Sequence, residues 1–217
     1  MDKIANHGQL IVISGPNGVG KRTVIERYLD EHPNAMQCTS VTTREKKDHE
    51  IDGVEHWFVS VDEFNRAVRT NQMLAYNYYN NHAYGTTRKA VEEARSAGHN
   101  VIIIEDVVGA MKIRALCPDA TLIYLVSPDW DILEERIRIR HKGKTEEQIQ
   151  AYLDEAREQI SCAGQYDYIL INDTVDKTVR RLGQIIHGNR YSKNSMAEFI
   201  HDYIEDVGSG EFFELIK

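Results

Sequence analysis

The nine residues Gly15-Pro16-Asn17-Gly18-Val19-Gly20-Lys21-Arg22-Thr23 constrain this chain more than any other stretch. They follow an apolar run, Leu10-Ile11-Val12-Ile13, and precede a helix-like segment from Val24 to His32. Strand, glycine loop, lysine and helix, in that order, form the layout of a phosphate-binding loop. The glycines let the backbone curl until its N–H groups face phosphate oxygens. The helix adds the partial positive charge of its N-terminus. Lys21 adds a full charge at the β/γ end. The plain alternative is a glycine-rich turn that binds nothing. One position departs from the pattern: Arg22 stands where a Ser or Thr would offer a hydroxyl to Mg²⁺, and Thr23 follows one step later.

Short β-branched runs at Leu10–Ser14, Val101–Glu105, Thr121–Val126 and Tyr168–Ile171 predict buried parallel strands. Helical patterns separate them: 22–32, 87–98, 108–116, 130–140, 145–163 and 176–187, with Gly98 placed to close the second. That alternation predicts an α/β fold, a parallel sheet with helices on both faces. Residues 37–86 break the rhythm and predict an inserted mixed α/β lobe with a helix at 61–70. At 217 residues the chain suits one domain with a small lobe or lid. The net charge of −8 argues against general nucleic-acid affinity. No apolar run is long enough to span a membrane. Cys38, Cys117 and Cys162 show neither zinc spacing nor a disulfide framework, so a reduced, cytoplasmic setting is expected.

Four further segments could carry chemistry. Ser40-Val41-Thr42-Thr43-Arg44, with Lys47 after it, offers hydroxyls and cations to an anion, or is a solvated edge strand. Tyr76 to Thr86 holds four of the eleven tyrosines, either a ring-and-phosphate site or a packed hairpin. Asp106 follows a buried strand, where ligands bind in such sheets; it could hold Mg²⁺ through water or simply cap the next helix. Arg136, Arg138, Arg140, Lys142 and Lys144 cluster in an acidic chain. Arg136 and Arg140 share a helix face and could close over a phosphoryl group, or pair with neighbouring glutamates.

Together these segments resemble the guanylate kinase family. The matching text is GPNGVGK at 15–21, SVTTR at 40–44, IDG..HWFVSVDEF at 51–64, AYGT at 83–86, EDVVGA at 105–110 and YDYILIND at 166–173. The resemblance implies a P-loop kinase fold: a core at 1–36, 87–135 and 163–190, an NMP-binding lobe at 37–86 and a helical lid at 136–162. It implies transfer of the γ-phosphoryl of ATP to GMP with Mg²⁺, nucleotides as the only partners, and a monomer or homodimer. It implies that Gly15, Asn17, Gly18, Val19, Gly20, Lys21, Arg22 and Thr23 hold ATP, with Asn172 near the adenine. Ser40, Arg44, Lys47, His56, Tyr84, Thr86 and Asp106 would hold the acceptor, Asp106 also meeting Mg²⁺ through water. Lys21, Arg136 and Arg140 would act on the transferring group.

Two departures bear on the acceptor. Ala75 and Ile104 fall where the family carries acids that read guanine, and strand alternation turns Glu105 to the opposite side. Phosphate binders without base readers predict weak selection between bases. A non-catalytic module holding a phosphorylated partner is the other reading, which the intact P-loop disfavours. Residues 191–217 lie beyond the resemblance. They predict a linker, a capping box at Ser195–Glu198 and a helix whose stripe of Phe199, Ile200, Tyr203, Ile204 and Val207 packs on the body or on a partner.

Overall fold

A computed structural model describes residues 7–79, 81–193 and 195–207. Side chains of Tyr79, Glu198 and residues 205–207 lie outside that description, and with them half of the capping box expected at Ser195–Glu198 and the Val207 end of the apolar stripe.

The core begins with β1 (Leu10–Ser14), the P-loop and α1 (Lys21–Glu31). Then come β2 (Ala35–Met36), β3 (Val41–Thr42), β4 (Trp57–Phe58), α2 (Val61–Arg69), β5 (Met73–Tyr79) and β6 (His82–Thr87). The chain returns through α3 (Arg88–Ser96), β7 (Asn100–Ile104), α4 (Val107–Leu116), β8 (Thr121–Val126), α5 (Trp130–Arg140) and α6 (Glu146–Ser161). It ends with β9 (Tyr168–Ile171), α7 (Val175–Asn189) and α8 (Ala197–Val207).

Five strands form one sheet in the order β2-β7-β1-β8-β9, every neighbouring pair parallel. β1 is central and all five of its residues are buried, as a strand covered on both faces must be. Its side chains alternate between two cores. Ile11 and Ile13 join Val24, Ile25 and Tyr28 of α1, Leu133 and Ile137 of α5 and Leu182 of α7. Leu10 and Val12 join Val91 of α3, Ala110 and Ile113 of α4 and Tyr124 of β8. Gly98, at φ 89°, closes α3 in the left-handed turn expected of it.

A second sheet, β4-β3-β6-β5, is mixed: β3 and β4 run parallel, while β6 is antiparallel to both β3 and β5. Phe64 of α2 plugs it against Val41, Met73 and Ala83. α2 starts with a capping box, Ser60 with Glu63. β6 runs without a loop into α3: Thr87 ends the strand, and its Oγ1 accepts the Ala90 N–H at 3.2 Å as the helix cap. The hairpin register pairs Ala75 with Thr86, Tyr76 with Gly85 and Asn77 with Tyr84, after an irregularity between Met73 and Ala75. Cross-strand partners share a face, so Ala75, Asn77, Tyr84 and Thr86 look one way while Tyr76 and Tyr78 look the other. Tyr76 meets the Phe64 ring edge-on, centroids 6.3 Å apart.

Among the described residues no helix is long and apolar enough to cross a membrane. The three cysteines are free. On α8, Ile200 and Tyr203 are exposed, and Phe199 stacks on Tyr203 at 6.1 Å.

Candidate active site

A cleft of about 830 Å³ lies between the two sheets, over the carboxyl ends of β1 and β7. Asn17, Gly18, Gly20, Lys21, Arg22 and Thr23 line one side, Ser40, Asn77, Tyr84 and Thr86 the other, with Arg140 at the rim.

The P-loop is held from beneath. Gly15, Gly18 and Gly20 take φ values of 146°, 84° and 93°, which L side chains rarely adopt. A Cβ on Gly15 would sit inside the Leu125 carbonyl, and one on Gly18 would press Ile137 of α5. Val19 is wholly buried. No side chain caps the N-terminus of α1, which leaves its partial charge to the cleft. Lys21 folds back along the loop, its Nζ donating to the Gly15 carbonyl at 2.6 Å and to Pro16 at 3.2 Å. Burial, aided by the charge of Arg140, pushes the Lys21 ammonium down to about 8. Two cations so close together favour a polyanion between them.

Arg22 is exposed and leans on Glu26 at 3.6 Å, one turn along α1. A guanidinium only donates, so it cannot ligate Mg²⁺. Among the described residues no three of His, Cys, Asp or Glu gather as a metal site. The cleft therefore presents the helix N-terminus and two cations, Lys21 and Arg140, to an anion.

The remaining sequence candidates divide. Ser40 Oγ and His56 Nδ1 share a hydrogen bond of 2.7 Å, and the His56 ring meets Tyr84 edge-on at 5.8 Å. Burial and the nearby Arg44 charge push the His56 imidazole below its usual range. Arg44 grips Glu50 with both terminal nitrogens, at 3.0 and 2.7 Å, and lies over the Phe58 ring. That guanidinium, with the Lys47 N–H, holds the Glu50 carboxyl at about 2. Arg44, Lys47 and His56 are not among the residues that line the cleft; His56 reaches it through Ser40 and Tyr84.

The arginine-rich helix resolves both readings of it. Arg138 makes the surface pairs, to Glu134 at 2.9 Å and to Glu146 at 2.8 and 2.7 Å. Arg140 faces the cleft. Arg136 points at the Asn172 carbonyl from 3.4 Å. Tyr152 of α6 stacks on His141, ring centroids 3.9 Å apart.

Three placements differ from the first choice made on sequence. Asp106 Oδ1 accepts the Gly109 N–H at 2.7 Å and caps α4, the alternative offered for it above. Its neighbour Glu105 lines the cleft instead. β7 ends at Ile104, so the alternation that would turn Glu105 away no longer operates. Asn172 is buried beneath the loop, Nδ2 donating to the Val19 carbonyl at 2.7 Å and Oδ1 accepting from Thr178 at 3.0 Å. Gln37, Cys38, Thr39 and Glu55 also line the cleft, with no motif in the sequence to mark them for it. Asn77 lines it too, within the Tyr76–Thr86 segment and paired with Tyr84 across the hairpin.

A parallel sheet whose central strand passes through a glycine loop into a helix, with an inserted lobe across the cleft, defines a P-loop kinase fold. The family profile described as Guanylate kinase matches residues 7–189. The chain belongs to the guanylate kinase family. It is 38% identical over 185 residues to the guanylate kinase of Latilactobacillus sakei, covering 84% of this chain and 90% of that one. It is 32% identical over 203 residues to that of Oceanobacillus iheyensis, covering 94% and 98%. The crystal structure of guanylate kinase from Anaplasma phagocytophilum superposes with a TM-score of 0.63 over 87% of this chain and 89% of that one. At 24% identity, that likeness speaks for the fold alone.

Proposed function

We propose that the chain transfers the γ-phosphoryl group of ATP to a nucleoside monophosphate, with GMP, the acceptor of guanylate kinases, as the substrate. One observation carries the reading. The P-loop and the lobe's Ser40, Tyr84 and Thr86 face each other across a single cleft, Arg140 beside them. A donor and an acceptor phosphate can therefore meet end to end. Such transfer needs positioning and charge neutralisation, with no covalent intermediate.

In this reading the loop from Gly15 to Thr23 cradles the ATP phosphates and Lys21 meets the β/γ end. Mg²⁺, which the family uses, would be held by those phosphates rather than by a cluster of side chains, and would neutralise their charge. Ser40, Tyr84 and Thr86 touch the acceptor. His56 holds Ser40 in place, and Arg44 is kept close by Glu50, with Lys47 at the end of the same loop. Arg140, and Arg136 if it releases Asn172, neutralise the group in flight. The test is an ADP-coupled assay with GMP, AMP, CMP and UMP. Turnover of one or more of them supports the reading; none, with ATP still bound, favours a phosphate-binding module.

Arg22 gives a separate prediction. Arg22→Ser restores a hydroxyl at the start of α1 and removes only an exposed pair with Glu26. Mg²⁺-dependent turnover rises by up to about tenfold, the equivalent of ~1.4 kcal/mol in the barrier. A lower rate across a Mg²⁺ titration shows that Arg22 serves the working site, and an unchanged rate shows that neither Arg22 nor the restored hydroxyl affects it.

A further inference from the structure

Three buried hydroxyls gather at the foot of the P-loop. Ser14 ends β1 and points, after Leu10 and Val12, into the core shared with α3 and α4. Tyr124, its register partner on β8, lies in that same core. Tyr166 enters it from the short turn Ala163–Gln165 after α6, its ring centroid 4.9 Å from that of Tyr124 and the two planes at 60°. Ser14 and Tyr124 are wholly buried, and Tyr166 is 9% exposed. Yet Ser14 Oγ, Tyr124 Oη and Tyr166 Oη have no hydrogen-bond partner among the described residues.

Buried hydroxyls are costly to leave unmet. Burial pushes both phenols above their usual range, the nearby Ser14 hydroxyl only partly offsetting this at Tyr166, so both keep their protons. Each of the three groups therefore brings a donor and an acceptor. The charged groups that act on Tyr166, Asp106 and Arg114, are opposite in sign and already held, by the Gly109 N–H and by Asp167. The missing partner is thus neutral, and it must both donate and accept. Water does both, and a buried water makes about three such bonds.

We propose that one water molecule is bound by Ser14, Tyr124 and Tyr166, and that it fixes the stem of the P-loop. Gly15 follows Ser14, packs against the Leu125 carbonyl, and offers its own carbonyl to Lys21 Nζ at 2.6 Å. A water that holds Ser14 therefore holds the carbonyl against which the lysine is set. Through Tyr166 it also joins the loop to the turn that follows α6. None of the three residues lines the cleft, so they are positioning residues.

The first measurement is a crystal structure of the whole nucleotide-free chain, at a resolution that shows ordered water. The expected result is one water within about 2.6–3.2 Å of all three hydroxyl oxygens. Hydroxyls bonded directly to one another or to other protein groups, with no water among them, overturn the proposal.

The second compares Tyr124→Phe and Tyr166→Phe, which keep the rings, with Ser14→Ala. Each lowers the melting temperature by about 2–8 °C. Each also raises the ATP dissociation constant about 3- to 10-fold by calorimetry well below melting, although none touches the cleft. A merely structural role would move the melting temperature alone; ATP affinity within twofold of wild type in all three variants overturns the positioning role. A wild type that shows the water yet binds neither ATP nor ADP sinks the transfer reading and leaves the water site standing.

Discussion

Lys21→Ala lowers ATP-dependent transfer by about 100- to 1,000-fold, the loss seen when one preorganised charge is removed from a developing anion. The expectation follows from geometry. Lys21 opens α1, reaches along the loop to the Gly15 and Pro16 carbonyls, and shares the cleft with Arg140. ATP raises the melting temperature of wild type and leaves that of Lys21→Ala unmoved, since a ligand stabilises only what it binds. The pH profile gives an independent check. The ammonium titrates near 8 because it is buried beside another cation. Below that pH it is charged and ready for phosphate; above it the proton is lost. The kcat/KM for ATP, which reports groups of the free enzyme, falls as pH rises through about 8. A profile flat to pH 9.5, or a mutant within tenfold of wild type, would remove Lys21 from the phosphate site.

Asn172→Ala destabilises the fold by about 2–4 kcal/mol, combining an unpaired buried acceptor with a small cavity. Its Nδ2 satisfies the Val19 carbonyl and its Oδ1 takes the Thr178 hydroxyl, both inside the protein. For a chain of this size the melting temperature drops by roughly 4–15 °C. KM for ATP rises as well, because the amide also lies against Gly20 and fixes the loop. A mutant of unchanged stability that confuses ATP with GTP would restore the adenine contact expected from the family pattern. Urea denaturation and donor-specific kinetics on one preparation separate the two outcomes.

The strands β1, β8 and β9 and helix α5 run over the very residues their hydrophobic pattern predicts. Each is a continuous apolar or amphipathic run, and such runs are set locally. β2, β3 and β4 have two residues apiece, too few to show any period. The P-loop was legible because strand, glycines, lysine and helix are adjacent in the chain. Side-chain direction at element ends was not. Glu105 and Asp106 both follow β7, and the end of the strand after Ile104 settles which of them meets the cleft. Asn172 follows β9 in the same way, and its burial comes from a loop 153 positions away in sequence.

The direct passage of β6 into α3 has a mechanical consequence. Thr87 is at once the last residue of a lobe strand and the cap of a core helix. With no slack there, the lobe can swing only by twisting that junction and by bending the other crossing, Gln37 to Ser40. Those four residues also form part of the cleft wall. Hinge and wall are thus one piece of chain, so a nucleotide that presses on Ser40 acts directly on the pivot about which the lobe would turn.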